Sequence, residues 1–365
     1  LKKYYGIKEF CKNKAISETT RNFTLINYLN IYKPISINDI YEGKYSIVKE
    51  KEDKNIFEAA KSIKSDIIPK LPYWIEKKIF TQNKSDIKKI YMSILYEPKF
   101  DLAINRLDYN REKIIKKLQN LNIKATKTKF SPSGITLEKR IPENKLKKIK
   151  KNFFEVQDEG SQIMTLLANA KTNNRILDYC AGKGTKTIFL KNNFNNLNNL
   201  YAYDISRERL AVLKKRLTSL KIKNVTILPS TENYKNYFDL VICDVPCSSS
   251  GVWRRRPENI LHLSESKLNK LILEQEDILN RAAVLCNENG ELVYITCSLI
   301  IDENEKQIHN FLKKNNKFKL INLKERWNKI FKNNNLITNN KWFTLSPNII
   351  KTDSYFISIL KKKNR

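Results

Sequence analysis

Residues 238–251, FDLVICDVPCSSSG, and residues 291–298, ELVYITCS, carry the clearest signals of the fold. Each segment begins as a short apolar run typical of a buried strand and ends in a polar loop with a cysteine, Cys247 and Cys297 respectively. In open α/β sheets, ligands bind at the carboxyl ends of the strands. Two thiols at neighbouring strand ends, one of them near the carboxylate of Asp244, therefore indicate covalent catalysis through sulfur.

Strand and helix patterns alternate from residue 153 onward and define the largest of three predicted regions, 153–365. Segment 175–187, RILDYCAGKGTKT, is typical of a strand, a glycine-containing turn and a helix, and the next strand ends at Asp204. This alternation predicts a Rossmann-like α/β domain, a parallel sheet with helices on both faces. A helical N-terminal region at 1–87 and a small mixed α/β module at 88–152 precede it.

The charge of the chain narrows the class of partner. Of its 365 residues 41% are hydrophobic, a globular composition, and its formal net charge is +31. This excess favours a polyanion, most simply nucleic acid, although a general richness in lysine also produces it. Residues 106–151 hold 15 basic and 4 acidic residues. We therefore predict that the module at 88–152 docks RNA, with an ordinary solvated face as the alternative.

The cysteines indicate a reducing compartment. The chain has six cysteines, two histidines and no CxxC pair, so neither a disulfide framework nor a metal site is expected. No stretch approaches the roughly 20 apolar residues of a membrane span, and no signal peptide is recognised. We expect a cytoplasmic protein, monomeric by default and not bound to membranes, with Cys243 and Cys286 packed in its core.

A nucleotide-type site is predicted around the turn at 180–186. Gly182 and Gly184 allow the backbone to turn tightly and to approach a ligand closely. The carboxylate of Asp204, at the end of the next strand, suits the two hydroxyls of a ribose. Taken alone, this pattern fits nicotinamide cofactors and S-adenosylmethionine equally, and a glycine turn without any ligand also stays open.

The two cysteine motifs, DVPCSSSG at 244–251 and TCS at 296–298, resemble those of the RNA cytosine-5 methyltransferases of the NOL/NOP/Sun family. Within that family, the RsmB-type enzymes of small-subunit ribosomal RNA are the most similar group. The resemblance covers about residues 100–365 and includes the acidic pair Glu303 and Glu305. It implies a class I S-adenosylmethionine-dependent methyltransferase domain that methylates C5 of a cytidine in RNA. The favoured substrate is 16S ribosomal RNA, and transfer RNA is the alternative.

The resemblance also implies roles for individual positions. Cys297 matches the nucleophile, Cys247 the cysteine that releases the methylated RNA, and Asp244 the residue between cofactor and target base. The implied cofactor-binding positions are Cys180, Ala181, Gly182, Lys183, Gly184, Thr185, Lys186, Asp204, Thr231 and Asp244. Thr231 stands where the family has an acidic residue, with Glu232 next to it, and the turn lacks the family's Ala-Pro-Gly-Gly sequence.

Sulfur chemistry explains why such a reaction needs a cysteine. A thiolate that adds to C6 of cytosine breaks the aromaticity of the ring and makes C5 nucleophilic enough to take a methyl group. A base then removes the C5 proton and the thiolate leaves; Cys247 and a water molecule are both candidates for this base. The target cytosine has to be unpaired or flipped out of a helix to reach the pocket.

Other functions stay open at this stage. They are a nicotinamide dehydrogenase, a methyltransferase of exocyclic amines, and a basic ribosome-assembly factor that binds RNA with weak or no catalysis. Amine methyltransferases usually have two prolines after their Asp or Asn, whereas Pro246 is followed by cysteine. The run Arg254-Arg255-Arg256 is predicted to contact phosphates, and Trp253 either stacks on a base or packs internally.

Overall fold

The computed structural model of the protein describes most of the chain. The described residues are 3–32, 36–41, 48–61, 70–79, 84–142, 149, 154–172, 174–194, 196–332 and 340–364. They form two compact units, Leu1–Tyr96 with Arg256–Leu261, and Glu97–Arg255 with His262–Arg365. The predicted boundary at 152/153 lies outside the described residues, so the division into three regions stays a prediction. Within the described ranges, every helix is too short or too polar to cross a membrane.

The first unit is helical, as the sequence predicts. Its helices are α1 (Tyr4–Asn13), α2 (Thr20–Tyr32), α3 (Asp53–Lys61), α4 (Tyr73–Glu76) and α5 (Lys84–Leu95), with a short helix Glu258–Leu261 from later in the chain. Ile26 of α2 and Ile56 of α3 are fully buried in a shared core. Arg21 of α2 also pairs with the buried carboxylate of Asp53, so apolar packing and an ion pair both join these two helices.

The second unit begins with a small antiparallel sheet. Its strands are β1 (Phe100–Ile104), β2 (Ala125–Lys127), β3 (Gly134–Leu137) and β4 (Phe154–Val156), in the order β2-β3-β1-β4. Helix α6 (Arg111–Asn120) covers it with Ile114 and Leu118, and the side chain of Asn110 caps the helix by accepting a hydrogen bond from the Lys113 N–H. The sequence pattern predicts a helix over 110–121 and strands over 125–130 and 135–139, and the structure has α6, β2 and β3 at these places. The pattern misses β1 and β4, and β4 lies beyond residue 152.

A larger sheet forms the rest of the second unit. Its strands are β5 (Ile176–Asp178), β6 (Leu200–Ala202), β7 (Val225–Ile227), β8 (Phe238–Asp244), β9 (Cys286–Thr296), β10 (Phe318–Leu320), β11 (Trp342–Leu345) and β12 (Tyr355–Lys362). The order is β10-β12-β9-β8-β5-β6-β7, and β11 pairs with β12. The helices between them are α7 (Glu159–Leu167), α8 (Thr185–Asn193), α9 (Arg207–Ser219), α10 (Glu265–Leu285), α11 (Glu305–Lys314) and α12 (Leu323–Phe331).

The sheet is mixed, whereas the alternating pattern predicts a parallel one. Strands β5 to β9 are parallel, but β12 runs antiparallel to β9, and β10 and β11 run antiparallel to β12. Residues 346–354 join β11 to β12 as a hairpin, which needs no helical crossover and makes this pair antiparallel. The predicted Rossmann-like α/β fold is otherwise confirmed.

Apolar side chains fill both faces of the large sheet. Ile176 and Ile242 belong to the core on one face, whereas Leu177, Val241 and Cys243 belong to the core on the other. Because successive side chains of a strand point to opposite faces, this alternation is expected for strands buried on both sides. Strand β5 has β8 on one side and β6 on the other, so the strand order reverses at β5 and leaves a crevice at the carboxyl ends of the strands.

Candidate active site

The two predicted cysteine loops meet at the carboxyl ends of β8 and β9. The Sγ atoms of Cys247 and Cys297 are 3.4 Å apart, and both side chains are partly exposed. The backbone N–H of Gly251 donates to the carbonyl of Cys297 at 2.9 Å, which joins the loops. By contrast, Cys243 and Cys286 lie within the strands and are fully buried. The cysteines in the strands therefore pack in the core, whereas those in the two loops are partly exposed.

Gly251 allows this close approach of the loops. A Cβ atom at this position would lie 2.3 Å from the carbonyl oxygen of Ser354 and 2.9 Å from that of Cys297. Both neighbours are backbone atoms, which cannot move aside as a flexible side chain could. Glycine is therefore required for the contact between the two cysteine loops.

The thiol of Cys247 is held in its protonated form. The hydrogen bond with Cys297, followed by burial, raises the pKa of Cys247 well above its ordinary value. Cys247 therefore keeps its proton and can donate it toward the neighbouring sulfur. The hydroxyl of Ser249 also lies 3.7 Å from the Cys297 sulfur.

A fully buried carboxylate, Glu303, ties the two loops together. It accepts hydrogen bonds from the backbone N–H of Ser248 at 2.7 Å and from the hydroxyls of Ser248 and Ser298, each at 2.5 Å. These serines directly follow the two cysteines. The amide of Gln275, on α10, donates to the same carboxylate at 3.0 Å. Glu303, which the resemblance singled out, thus fixes the spacing of the cysteine loops.

A pocket of about 330 Å³ lies beside the glycine turn. Eight of the predicted cofactor-binding residues line it, namely Cys180, Ala181, Gly182, Lys183, Thr185, Lys186, Asp204 and Asp244. The ammonium group of Lys186 is 2.5 Å from the carboxylate of Asp244, three residues before Cys247. This ion pair connects the pocket to the cysteine loop.

Two acidic side chains shape the pocket wall. Asp204 accepts from the backbone N–H groups of Gly182 and Ser206, both at 2.8 Å, and pairs with Arg209 at 3.1 Å, so it holds the glycine turn. Burial raises the pKa of Asp178 to about 6. One oxygen of Asp178 accepts from the hydroxyl of Thr187, and the other has no partner among the described residues.

Two predicted cofactor positions lie outside the lining of this pocket. Gly184 adopts φ +85° as the residue before α8, and a Cβ there would lie 2.1 Å from Cδ1 of Leu213, so it serves the backbone turn. Thr231 accepts a backbone hydrogen bond from Tyr234 in a turn, and neither it nor Glu232 is part of the pocket wall that the described residues form.

The sequence reasoning missed part of the pocket wall. Tyr203 and Ile205 flank Asp204 at the end of β6, and Pro246 follows β8. One face of α10 closes the other side, with residues Glu274, Asp277, Ile278 and Arg281. Their spacing of three and four residues is that of a single helix face, which is the signal that could have identified them.

The predicted phosphate contact of the arginine run is corrected by the structure for two of its three members. Arg254 is 4% exposed and its Nε lies 2.6 Å from a carboxylate oxygen of Asp353. Arg255 pairs with the same carboxylate and with Asp158 at 2.8 Å. These arginines neutralise buried acids and hold the cysteine loop to the start of β12. Trp253 is 1% exposed, so it packs internally.

Comparison with known proteins assigns the chain to a family. The family model described as 16S rRNA methyltransferase RsmB/F matches residues 164–361, and the ferredoxin-like domain model of RsmF/B-like methyltransferases matches residues 71–143. The chain belongs to the RsmB/F methyltransferase family. The first match contains both cysteine loops and most of the large sheet, whereas the second spans α6, β1, β2 and β3 of the small sheet.

Curated relatives of this RsmB/F family member carry related names. A probable ribosomal RNA small subunit methyltransferase B of Coxiella burnetii is 29% identical over 61% of this chain and 54% of its own length. The ribosomal RNA small subunit methyltransferase B of Proteus mirabilis is 30% identical over 66% of this chain and 58% of its own length. The matched part thus spans somewhat more than half the length of these relatives.

Solved structures support the fold of this RsmB/F family member. NSun6 from Pyrococcus horikoshii, solved with SFG, aligns with a TM-score of 0.67 and 19% identity over 81% of this chain and 99% of that one. A methyltransferase homolog from Pyrococcus horikoshii aligns with a TM-score of 0.62 and 20% identity, over 79% of this chain and 93% of that one. At these identities the likeness concerns the fold.

Proposed function

We propose that this chain transfers a methyl group from S-adenosylmethionine to C5 of a cytidine in RNA, with 16S ribosomal RNA as its substrate. The observation that carries the proposal is the pair of partly exposed sulfurs 3.4 Å apart, next to a pocket that the Lys186–Asp244 ion pair connects to them. Membership of the RsmB/F family and the names of the relatives favour ribosomal RNA. Transfer RNA stays the alternative substrate.

The pocket suits S-adenosylmethionine in volume and in its polar groups. About 330 Å³ is within the range of small-molecule sites. The unpartnered oxygen of Asp178 is an acceptor for a cationic ligand group, and we assign Asp204 to the ribose hydroxyls and Ile205 and Pro246 to the adenine. When bound, S-adenosylmethionine supplies a methyl group on a positively charged sulfur.

In this proposal Cys297 attacks the cytosine. Its thiolate forms a bond to C6, and the electrons of the C5–C6 double bond make C5 nucleophilic. We assign Asp244, at the border between pocket and cysteine loop, to the N3 and amino edge of the base, where it stabilises charge that develops on the ring. Sulfur suits both the addition to C6 and the later elimination, because a thiolate is nucleophilic and is also a fair leaving group.

Cys247 is our choice for the group that removes the C5 proton. Its raised pKa depends first on the hydrogen bond with the Cys297 sulfur. Once that sulfur is bonded to C6 as a neutral thioether, this interaction is lost and Cys247 can ionise more readily. Cys247 then releases its own proton to solvent water, and its thiolate takes the C5 proton while the C6–S bond breaks, the Cys297 thiolate leaves and the aromatic ring re-forms.

The proposal is tested by supplying the purified chain with S-adenosylmethionine and separate RNAs. We expect 5-methylcytidine, identified by mass spectrometry of the digested RNA, in a 16S ribosomal RNA transcript. A transfer RNA mixture serves as the comparison substrate. Methylation of transfer RNA alone would correct the substrate, and methylated adenosine or guanosine without 5-methylcytidine would contradict the proposed reaction.

A variant of Asp204 tests the cofactor assignment. Asp204→Asn should weaken binding of S-adenosylmethionine by about tenfold or more, because hydrogen bonds to a charged acceptor are each worth about 1.5–3 kcal/mol. Calorimetric titration measures this, with thermal unfolding as a check on the glycine turn that Asp204 also holds. Asp108→Asn, an exposed change in the small-sheet region, is the matched control. If Asp204→Asn and Asp108→Asn bind S-adenosylmethionine with equal affinity, Asp204 does not contact the ribose.

We further propose a monomer that works in a reducing compartment such as the cytoplasm. The described cysteines are all free, and the mechanism needs both Cys247 and Cys297 as thiols. An oxidised pair at this site could not add to a base.

A further inference from the structure

A second groove in the second unit lies apart from the pocket described above. Its volume is about 470 Å³, and it shares no lining residue with the cofactor pocket among the described residues. It lies between the loops of the small sheet and the carboxyl-terminal ends of α7, α8 and α12. Its lining comprises Arg106, Lys129, Phe130, Pro132, Leu166, Asn169, Asn193, Phe194, Ile330, Phe331 and Lys332.

The groove has an aromatic wall. Phe130, Phe194 and Phe331 line it, and all three are only partly buried. The rings of Phe130 and Phe331 meet edge to face with centroids 6.2 Å apart. The fully buried Trp327 packs against both rings, at 5.6 Å from Phe130 and 4.3 Å from Phe331. This packing fixes the orientation of the Phe130 and Phe331 rings, which are partly exposed to solvent.

Three exposed cations surround the aromatic wall. They are Arg106, Lys129 and Lys332, and none of them forms an ion pair with a described residue. The ammonium group of Lys129 lies 5.2 Å from the ring centre of Phe130. Within the described ranges the lining contains no aspartate or glutamate. The groove therefore favours an anionic ligand.

A buried amide adds an unused hydrogen-bond acceptor. Asn193 is 6% exposed, and its side-chain NH₂ donates to the carbonyl of Phe189 at 2.9 Å. Its Oδ1 accepts no hydrogen bond from the residues that the structure describes. Because a buried polar atom without a partner is costly, this oxygen is suited to a donor group of a ligand, such as an amino group.

We propose that this groove binds a nucleotide of single-stranded RNA other than the reacting cytidine. The inference rests on the proposed function for its choice of RNA. Aromatic rings that stack on bases, combined with cations that meet the backbone phosphates, are the usual means of binding unpaired nucleic acid. The Oδ1 of Asn193 adds an acceptor for a base edge. Since the reacting cytidine has to be unpaired, its neighbours in the same strand are available for such a contact.

Binding of a fluorescein-labelled single-stranded oligoribonucleotide, followed by anisotropy, tests the groove. We expect Phe130→Leu and Arg106→Glu each to weaken binding by about fivefold or more. Arg106→Glu should also lower the slope of log Kd against log salt concentration by about 1, whereas Phe130→Leu should leave it unchanged. Phe100→Leu, on β1 outside the groove, and Lys215→Glu, an exposed change on α9, are the matched controls and should bind like the unaltered chain.

Methylation kinetics separate this proposal from the proposed function. The groove variants should raise KM for RNA and leave kcat unchanged, because they do not touch the cysteine loops. The proposal is wrong if both groove variants bind the single-stranded RNA as tightly as the unaltered chain does. It is also wrong if the variants lose affinity for duplex RNA by the same factor as for single-stranded RNA. If the unaltered chain binds RNA through the groove but transfers no methyl group, the groove stands and the proposed reaction is wrong.

Discussion

Cys297→Ala should abolish methyl transfer to RNA while leaving the binding of S-adenosylmethionine intact. Without the thiol no bond to C6 can form, and C5 stays part of an aromatic ring. We expect turnover to fall by at least about 10⁴-fold, as with other enzymes that lose a covalent nucleophile. Cofactor binding should persist because Cys297 is not among the described residues that line the pocket. Transfer of a tritiated methyl group measures the first effect, and calorimetry the second.

The matched control for this variant is Cys286→Ala. Cys286 is a fully buried cysteine at the opposite end of the same strand, so its loss should lower thermal stability but not the turnover of the folded protein. Near-normal turnover of Cys297→Ala would contradict the covalent mechanism. A parallel loss of cofactor binding would instead mean that the variant disturbs the pocket, and Cys297→Ser would then be the better probe.

Local pattern was sufficient to predict where the two cysteines lie. The apolar runs that form β8 and β9 are buried strands whatever surrounds them, so a polar residue at the end of each run comes to the same sheet edge. The same reasoning predicts Cys243 in the core, since it lies within the run that forms β8, and the apolar pattern around Cys286 predicts the same for that cysteine. Because parallel neighbours bring their carboxyl ends together, the proximity of Cys247 and Cys297 follows from the fold class.

Contacts between distant parts of the chain could not be predicted in this way. The local pattern predicts that Arg255 contacts a phosphate, but its partners Asp158 and Asp353 are 97 and 98 residues away in sequence. Only the position of β12 beside β9 brings Asp353 to the cysteine loop. A basic residue has the same local pattern whether it is solvated, meets a phosphate or neutralises a buried acid.

The pocket wall illustrates the same limit. The backbone geometry of the turn predicts Gly182 and Gly184, whereas the family resemblance alone implies the other turn residues and Thr231, and Thr231 lies outside the described lining. The face of α10 that closes the pocket contains ordinary helical residues such as Ile278 and Arg281. Their spacing identifies a helix face, but only the packing of α10 on the sheet decides which face meets the ligand.

Cys247→Ala should accumulate a covalent complex between protein and RNA. The hydrogen bond with the Cys297 sulfur raises the pKa of Cys247, and we have argued that Cys247 becomes the base once Cys297 is bonded to C6. Without that base, addition and methylation can proceed but the C5 proton stays in place. The C6–S bond then has no route to elimination. The complex should therefore persist through denaturing electrophoresis as a slowly migrating band that nuclease shortens.

The double variant Cys247→Ala with Cys297→Ala is the decisive control, because it removes the sulfur that forms the bond while keeping the change at position 247. It should give no band, and Cys286→Ala alone should give no more than the unaltered chain. A band that survives in the double variant would identify another nucleophile. Absence of a band from Cys247→Ala, with methyl transfer still measurable, would mean that another group such as water removes the C5 proton and that Cys247 serves chiefly to hold Cys297 in place.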